Sequence, residues 1–131
     1  MTGTSGNYLL DTNIVVPILN QDAPLLQRIK GLSIYVPVIV LGELYFGAQK
    51  SARIAPNIAR IQIFKSRCVV VGCDESTAEE FGKIREFLVS KGKPIPENDI
   101  WIAAIALQHG LALVTRDEHF KEVDGLTVEA W

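Results

Sequence analysis

No stretch of this 131-residue chain approaches the roughly 18 consecutive apolar residues of a membrane span, because Glu43 cuts the longest candidate. Cysteine and histidine are scarce, with two of each. Cys68 and Cys73 bracket Val69-Val70-Val71-Gly72, so on a shared strand they point to opposite faces and cannot bridge within it. Neither cysteine shows zinc-ligand spacing with His109 or His119, which reads both thiols as packing residues. A dominant charge is missing too: 13 basic and 15 acidic residues give a net charge of −2. That balance lacks the basic face usual for nucleic-acid partners, although two divalent cations would reverse its sign. Residues 1–7 are small and polar, without the basic and apolar regions of a signal peptide, and read as a flexible N-terminal segment. The expectation is a cytoplasmic protein with no membrane partner. No repeat or linker divides the remainder, so residues 8–131 are expected to form one domain.

What is present alternates between strand and helix patterns. Residues 8–11 predict a short apolar strand that ends at a strand-to-helix corner, Asp11-Thr12-Asn13. Asp22-Ala23-Pro24 reads as a helix start, with Leu25, Leu26 and Ile29 on one side and Gly31 at its end. A second strand is expected over 34–36. A helix from Pro37 follows, with Ile39, Val40, Glu43, Phe46 and Gly47 on one stripe, which would turn Glu43 toward the core. Residues 56–65 support another helix. Residues 67–71 are a near-continuous apolar run, as expected of a strand covered on both faces. Ser76-Thr77-Ala78-Glu79 has the form of a capping box, and Gly92 stops the helix it opens. Asn98 is placed to cap a helix over 99–109, which ends at Gly110. Strands are expected over 111–115 and 126–128. This order implies an α/β protein, an α/β/α sandwich around a four- to five-stranded parallel sheet. In such sheets the binding crevice lies beyond the carboxyl ends of the strands.

Four acids sit flush against apolar sequence: Asp11, Glu43, Asp99 and Asp117. Asp11 and Asp117 follow strands and so fall on that binding edge. Each has an ordinary alternative. Asp11 can be a helix cap, Asp99 a first-turn acid favoured by the helix dipole, and Asp117 a solvated loop charge. Two carboxylates about 4 Å apart repel by roughly 4 kcal/mol at an effective dielectric of 20. Four converging acids with few bases nearby therefore call for a cation. An all-oxygen set favours Mg²⁺ or Mn²⁺ over zinc. Such an ion can activate water and stabilise charge on a phosphoryl oxygen, which points to metal-assisted phosphoester hydrolysis.

Four segments, taken together, carry a resemblance: Tyr8-Leu9-Leu10-Asp11-Thr12-Asn13, Gly42-Glu43-Leu44-Tyr45-Phe46-Gly47, Asn98-Asp99-Ile100-Trp101-Ile102-Ala103-Ala104 and Val114-Thr115-Arg116-Asp117. In this order and spacing they resemble the PIN domain, most nearly the VapC-type ribonuclease toxins of toxin–antitoxin pairs, over nearly the whole chain. The resemblance implies a Mg²⁺- or Mn²⁺-dependent endoribonuclease with Asp11, Glu43, Asp99 and Asp117 as its acidic quartet. Asp11 and Asp99 would be the most direct metal ligands, and Glu43 and Asp117 would complete the site. Thr115 matches a family hydroxyl position and would hydrogen-bond Asp11 or a nearby water, while Thr12 and Asn13 would hold the Asp11 turn.

The implied partners are RNA, structured species such as tRNA above all, a cognate VapB-like antitoxin, and a second copy of the chain in a homodimer. Lys91, Lys93 and Arg116 are the candidate phosphate contacts, with Arg53, Arg60 and Arg67 farther off. The segments around Leu44-Tyr45-Phe46 and Ile58-Ile61-Phe64 are either contact surfaces or core. Two other readings stay open: a PIN nuclease of RNA processing without an antitoxin, and a non-catalytic Mg²⁺-binding phosphoacceptor module. Against the latter, Thr115-Arg116-Asp117 stands where a receiver's late lysine is expected.

Overall fold

The structure, a computed structural model, describes residues 6–131. Residues 1–5 of the expected flexible segment lie outside the described residues. Five strands, β1 (Asn7–Leu10), β2 (Ser33–Pro37), β3 (Val69–Val71), β4 (Ala112–Val114) and β5 (Val128–Glu129), form one sheet in the order β3-β2-β1-β4-β5. Every pairing is parallel. The helices are α1 (Thr12–Leu19), α2 (Ala23–Arg28), α3 (Val38–Gln49), α4 (Ile54–Ser66), α5 (Glu75–Ser90) and α6 (Glu97–His109), followed by a short 3-10 helix, Glu118–Glu122. Connections from β1 to β2 and β2 to β3 move outward in one direction, while that from β3 to β4 returns across the sheet. Right-handed crossovers therefore place α1–α4 on one face and α5–α6 on the other. The expected sandwich is what the chain forms.

Burial explains the layering. Leu9 and Leu10 on β1, Ala112, Leu113 and Val114 on β4, and Ile102 to Ala106 on α6 have no exposed surface. Central parallel strands covered on both faces need such continuous apolar runs. Asp11 caps α1 through its side chain, and Pro17, which removes one backbone donor, precedes the end of that helix by two residues. Gly110 closes α6 in the left-handed conformation, φ 64°, which glycine adopts without a Cβ penalty.

Several local expectations are corrected. β3 is an edge strand, and Val69 is half exposed, so its apolar run does not mean cover on both faces. In α3 the buried stripe is Val40, Leu41, Leu44 and Ala48, which turns Glu43 and Phe46 outward. The helix is apolar almost all round, so spacing alone cannot phase it; contact with the sheet does. The N-cap of α5 is Asp74, which forms the capping box with Thr77, two residues ahead of the expected one. Helix α6 begins at Glu97 after Pro96, so Asn98 is no cap and Asp99 lies in the first turn. The last two strands are short, and β5 starts where 126–128 was expected to end.

Cys68 is half-buried, donates to the Phe64 carbonyl at 3.3 Å, and burial pushes its thiol up to about 11. It is a packing residue, as expected, whereas Cys73 follows the edge strand β3 and is exposed, so it is not one. Of the apolar residues considered as contact surfaces, Leu44, Ile61 and Phe64 belong to the core, whereas Phe46 is 65% exposed. Among the described residues no helix is long and apolar enough to cross a membrane.

Candidate active site

Asp11 directly follows the central strand at the carboxyl edge of the sheet, and its backbone N–H donates to Val114 O at 3.0 Å. Its side chain is only 4% exposed. Oδ1 accepts from the Thr12 backbone N–H at 2.8 Å and Oδ2 from the Thr115 hydroxyl at 2.8 Å. Thr115, itself buried, accepts in turn from Asn13 Nδ2 at 3.3 Å and from the Asp117 backbone N–H at 3.0 Å. Asn13 Oδ1 takes the Arg116 N–H at 3.0 Å, which ties the loop after β4 to the first turn of α1. Thr12 and Thr115 thus hydrogen-bond Asp11 directly, and Asn13 reaches it through Thr115.

The other acids converge from separate elements. Glu43 projects from α3 and accepts a hydrogen bond from the Thr12 hydroxyl, so it faces the site although the residue is exposed. Asp99, in the first turn of α6, is half-buried, and its Oδ2 lies 2.5 Å from His119 Nε2. Asp117 Oδ2 is 3.8 Å from the same nitrogen. Burial is the main cause raising the Asp11 carboxyl above its ordinary value; the Thr115 and Thr12 bonds oppose it, and the charges of Asp99 and Glu43 add to it. Burial likewise raises Asp99, opposed by His119 and reinforced by Asp117 and Glu43. The four acids therefore repel one another, and among the described residues no Lys or Arg side chain pairs with any of them.

Spacing to the cysteines does not mark His119 as a site residue. The useful signal was nearer: it stands two residues after Asp117, and the 3-10 helix turns it back onto Asp99. One ligand atom each from Asp99, Asp117 and His119 lie within 4.8 Å of one another, close enough to share an ion. Carboxylate oxygens with one adjacent imidazole suit a hard or borderline divalent cation. Asp11 fits the same chemistry, since neutral donors hold it and leave its charge uncompensated.

The candidate phosphate contacts differ in their surroundings. Lys91 is bound to Glu122, at 2.5 Å from the carbonyl and 3.3 Å from the carboxylate, and lies over the Phe87 ring, so its charge is already engaged. Lys93 is exposed beyond the Gly92 turn. Arg116 is exposed and its Nε donates to Trp131 O at 3.1 Å. Arg60 binds Asn20 Oδ1 at 3.0 Å across a cleft that Thr12 and Glu43 border on the side of the acids.

A family model described as "PIN domain" matches residues 8–126. Ribonuclease VapC2 of Haemophilus influenzae is 39% identical over 128 residues, covering 95% of this chain and 97% of that protein. The tRNA(fMet)-specific endonuclease VapC of Shigella flexneri is 35% identical over the same length and coverage. Among solved structures, VapBC2 from Rickettsia felis bound to a DNA fragment from its promoter contains a chain that superposes with a TM-score of 0.89. Identity there is 32%, over 95% of this chain and 98% of that one.

Proposed function

This chain belongs to the PIN-domain family, and from that membership we propose that it is a metal-dependent endoribonuclease, the toxin of a VapBC-type toxin–antitoxin pair. The observation that carries the reading is the convergence of Asp11, Glu43, Asp99 and Asp117 at one end of the sheet, where among the described residues no Lys or Arg side chain pairs with them. The relatives named ribonuclease or tRNA endonuclease, matched over nearly their full length, support RNA as the substrate and structured RNA such as tRNA as its class. The toxin–antitoxin complexes among the structural neighbours support a VapB-like antitoxin as partner; a homodimer of this chain is proposed from the family resemblance alone. The phosphoacceptor alternative gives way to the family match.

Asp11 and Asp99 would hold the cation, with Glu43 and Asp117 completing the site. Bound there, Mg²⁺ or Mn²⁺ supplies an activated water and charge neutralisation at the phosphoryl group. The chain supplies the rest. Thr115 and the Thr12 N–H fix the Asp11 carboxylate, Thr12 also aims Glu43, and Asn13 holds the loop that presents Asp117. Lys93 and Arg116 are exposed toward solvent and offer phosphate contacts.

The test is cleavage of total cellular RNA by purified protein with Mg²⁺, Mn²⁺ or EDTA, beside Asp11→Asn and Asp99→Asn. Cuts at few sites that need the cation and disappear in both variants are expected. Equal cutting by all three proteins would overturn the proposal.

A further inference from the structure

His119 lies among the acids without belonging to the quartet. Its Nε2 stands 2.5 Å from Asp99 Oδ2. Two ligands of one octahedral ion at about 2.1 Å stand about 3 Å apart, and as the site stands the shorter contact is a hydrogen bond. Nε2–H donates, which occupies Oδ2 and leaves Oδ1 as the oxygen that Asp99 offers a cation. The imidazole is held from behind: Phe120 is fully buried, and its ring centroid lies 5.1 Å from that of His119. Asp11 also has a side-chain donor, Thr115, on its Oδ2, while its Oδ1 accepts from the Thr12 backbone N–H. The two acids best placed to ligate are thus each braced at one oxygen by a donor from the segment 115–119.

We infer that His119 is a positioning residue of the metal centre, which braces Asp99 and so sets the affinity of the site for Mg²⁺ or Mn²⁺. This rests on the metal-centre reading above. Donors behind ligating carboxylates typically contribute about 10–100-fold in metal affinity, because they fix the carboxylate before the ion arrives. Gln at 119 carries an amide N–H that can replace the imidazole donor; Ala carries none.

Isothermal titration with Mn²⁺ alone compares the wild type with His119→Ala and His119→Gln. Affinity should fall about 10–100-fold in the Ala variant and return most of the way in the Gln variant. The metal-free melting temperature of all three should agree, since the ring is one-third exposed and Phe120 carries the packing. Pulsed paramagnetic resonance of the Mn²⁺-loaded wild type should show no directly bonded imidazole nitrogen. Unchanged affinity in His119→Ala, or a coupled ligand nitrogen, would overturn the inference alone. A wild type that takes up no Mn²⁺ would overturn the metal-centre reading with it.

Discussion

Thr115 and Asp11, 104 positions apart in sequence, meet through a hydrogen bond of 2.8 Å. The hydroxyl donates to the carboxylate and at the same time accepts from Asn13 and Asp117, so one small side chain joins α1, β1 and the loop after β4. Thr115→Val keeps the shape and removes the donor. Hydrogen bonds to charged groups contribute about 1.5–3 kcal/mol, and denaturant unfolding of the variant should show a loss of that size. RNA cleavage should fall with it; a variant as active as wild type would show that Asp11 needs no brace.

Asp11 and Asp99 hold protons more tightly in the folded state than at their ordinary value of 3.8. Their contribution to the stability of the metal-free fold is therefore full below that value and is lost as pH rises through the raised folded values. Asp11→Asn removes one of the two losses. In EDTA, the stability of Asp11→Asn minus that of wild type should grow with pH and then level off; unfolding curves from about pH 4 to about pH 8 measure it. A difference independent of pH would mean that burial does not penalise the Asp11 charge.

Cations should reverse the same penalty. At about 100 times its dissociation constant, Mg²⁺ or Mn²⁺ should stabilise the protein by about 2.7 kcal/mol, seen as a higher melting temperature that EDTA abolishes. Asp99→Asn should lose most of this increment. An increment of full size in that variant would place the ion elsewhere.

Glu43 separates function from stability. Its residue is exposed, so Glu43→Gln should change folding stability by no more than about 0.5 kcal/mol. Cleavage should drop by roughly 100-fold, the scale of losing one electrostatic contributor at a reacting centre. Single-turnover assays on RNA decide, and full activity would remove Glu43 from the site.

Phe120 makes the opposite case. It has no exposed surface and anchors the 3-10 helix that carries His119. Phe120→Ala should cost roughly 3–5 kcal/mol, as buried aromatic truncations do. A variant with wild-type stability would show that this turn is not anchored through the core.

The chain order of strand and helix was legible because each element carries its own period and punctuation. The positions of Asp11 and Asp117 followed, since parallel sheets gather strand ends at one edge. Thr115 and Asn13 were expected as supports only through the family resemblance. The phase of α3 was not: Val40-Leu41 and Ile39-Val40 begin equally good stripes, and only contact with the sheet chooses between them. Val69-Val70-Val71 reads the same on an edge as in a centre, because pairing partners are not written locally. Asp74-x-x-Thr77 and Ser76-x-x-Glu79 both fit a capping pattern, and the backbone at Asp74 decides. His119 escaped because its partner, Asp99, is 20 positions away and reaches it only through a tertiary turn.

The strand order has a consequence for biosynthesis. β4 slots in beside the central strand, yet its residues and the 115–119 turn are made late, more than a hundred positions after Asp11. A nascent chain that stops short of Ala112 carries Asp11, Glu43 and Asp99 but lacks β4, which pairs with β1, and the turn that braces Asp11 and Asp99. We predict that such a fragment, ended at Leu111, neither cuts RNA nor gains thermal stability from Mn²⁺; either gain would show the pocket forming early. The candidate site would then stay incomplete until the residues after Leu111 have been made.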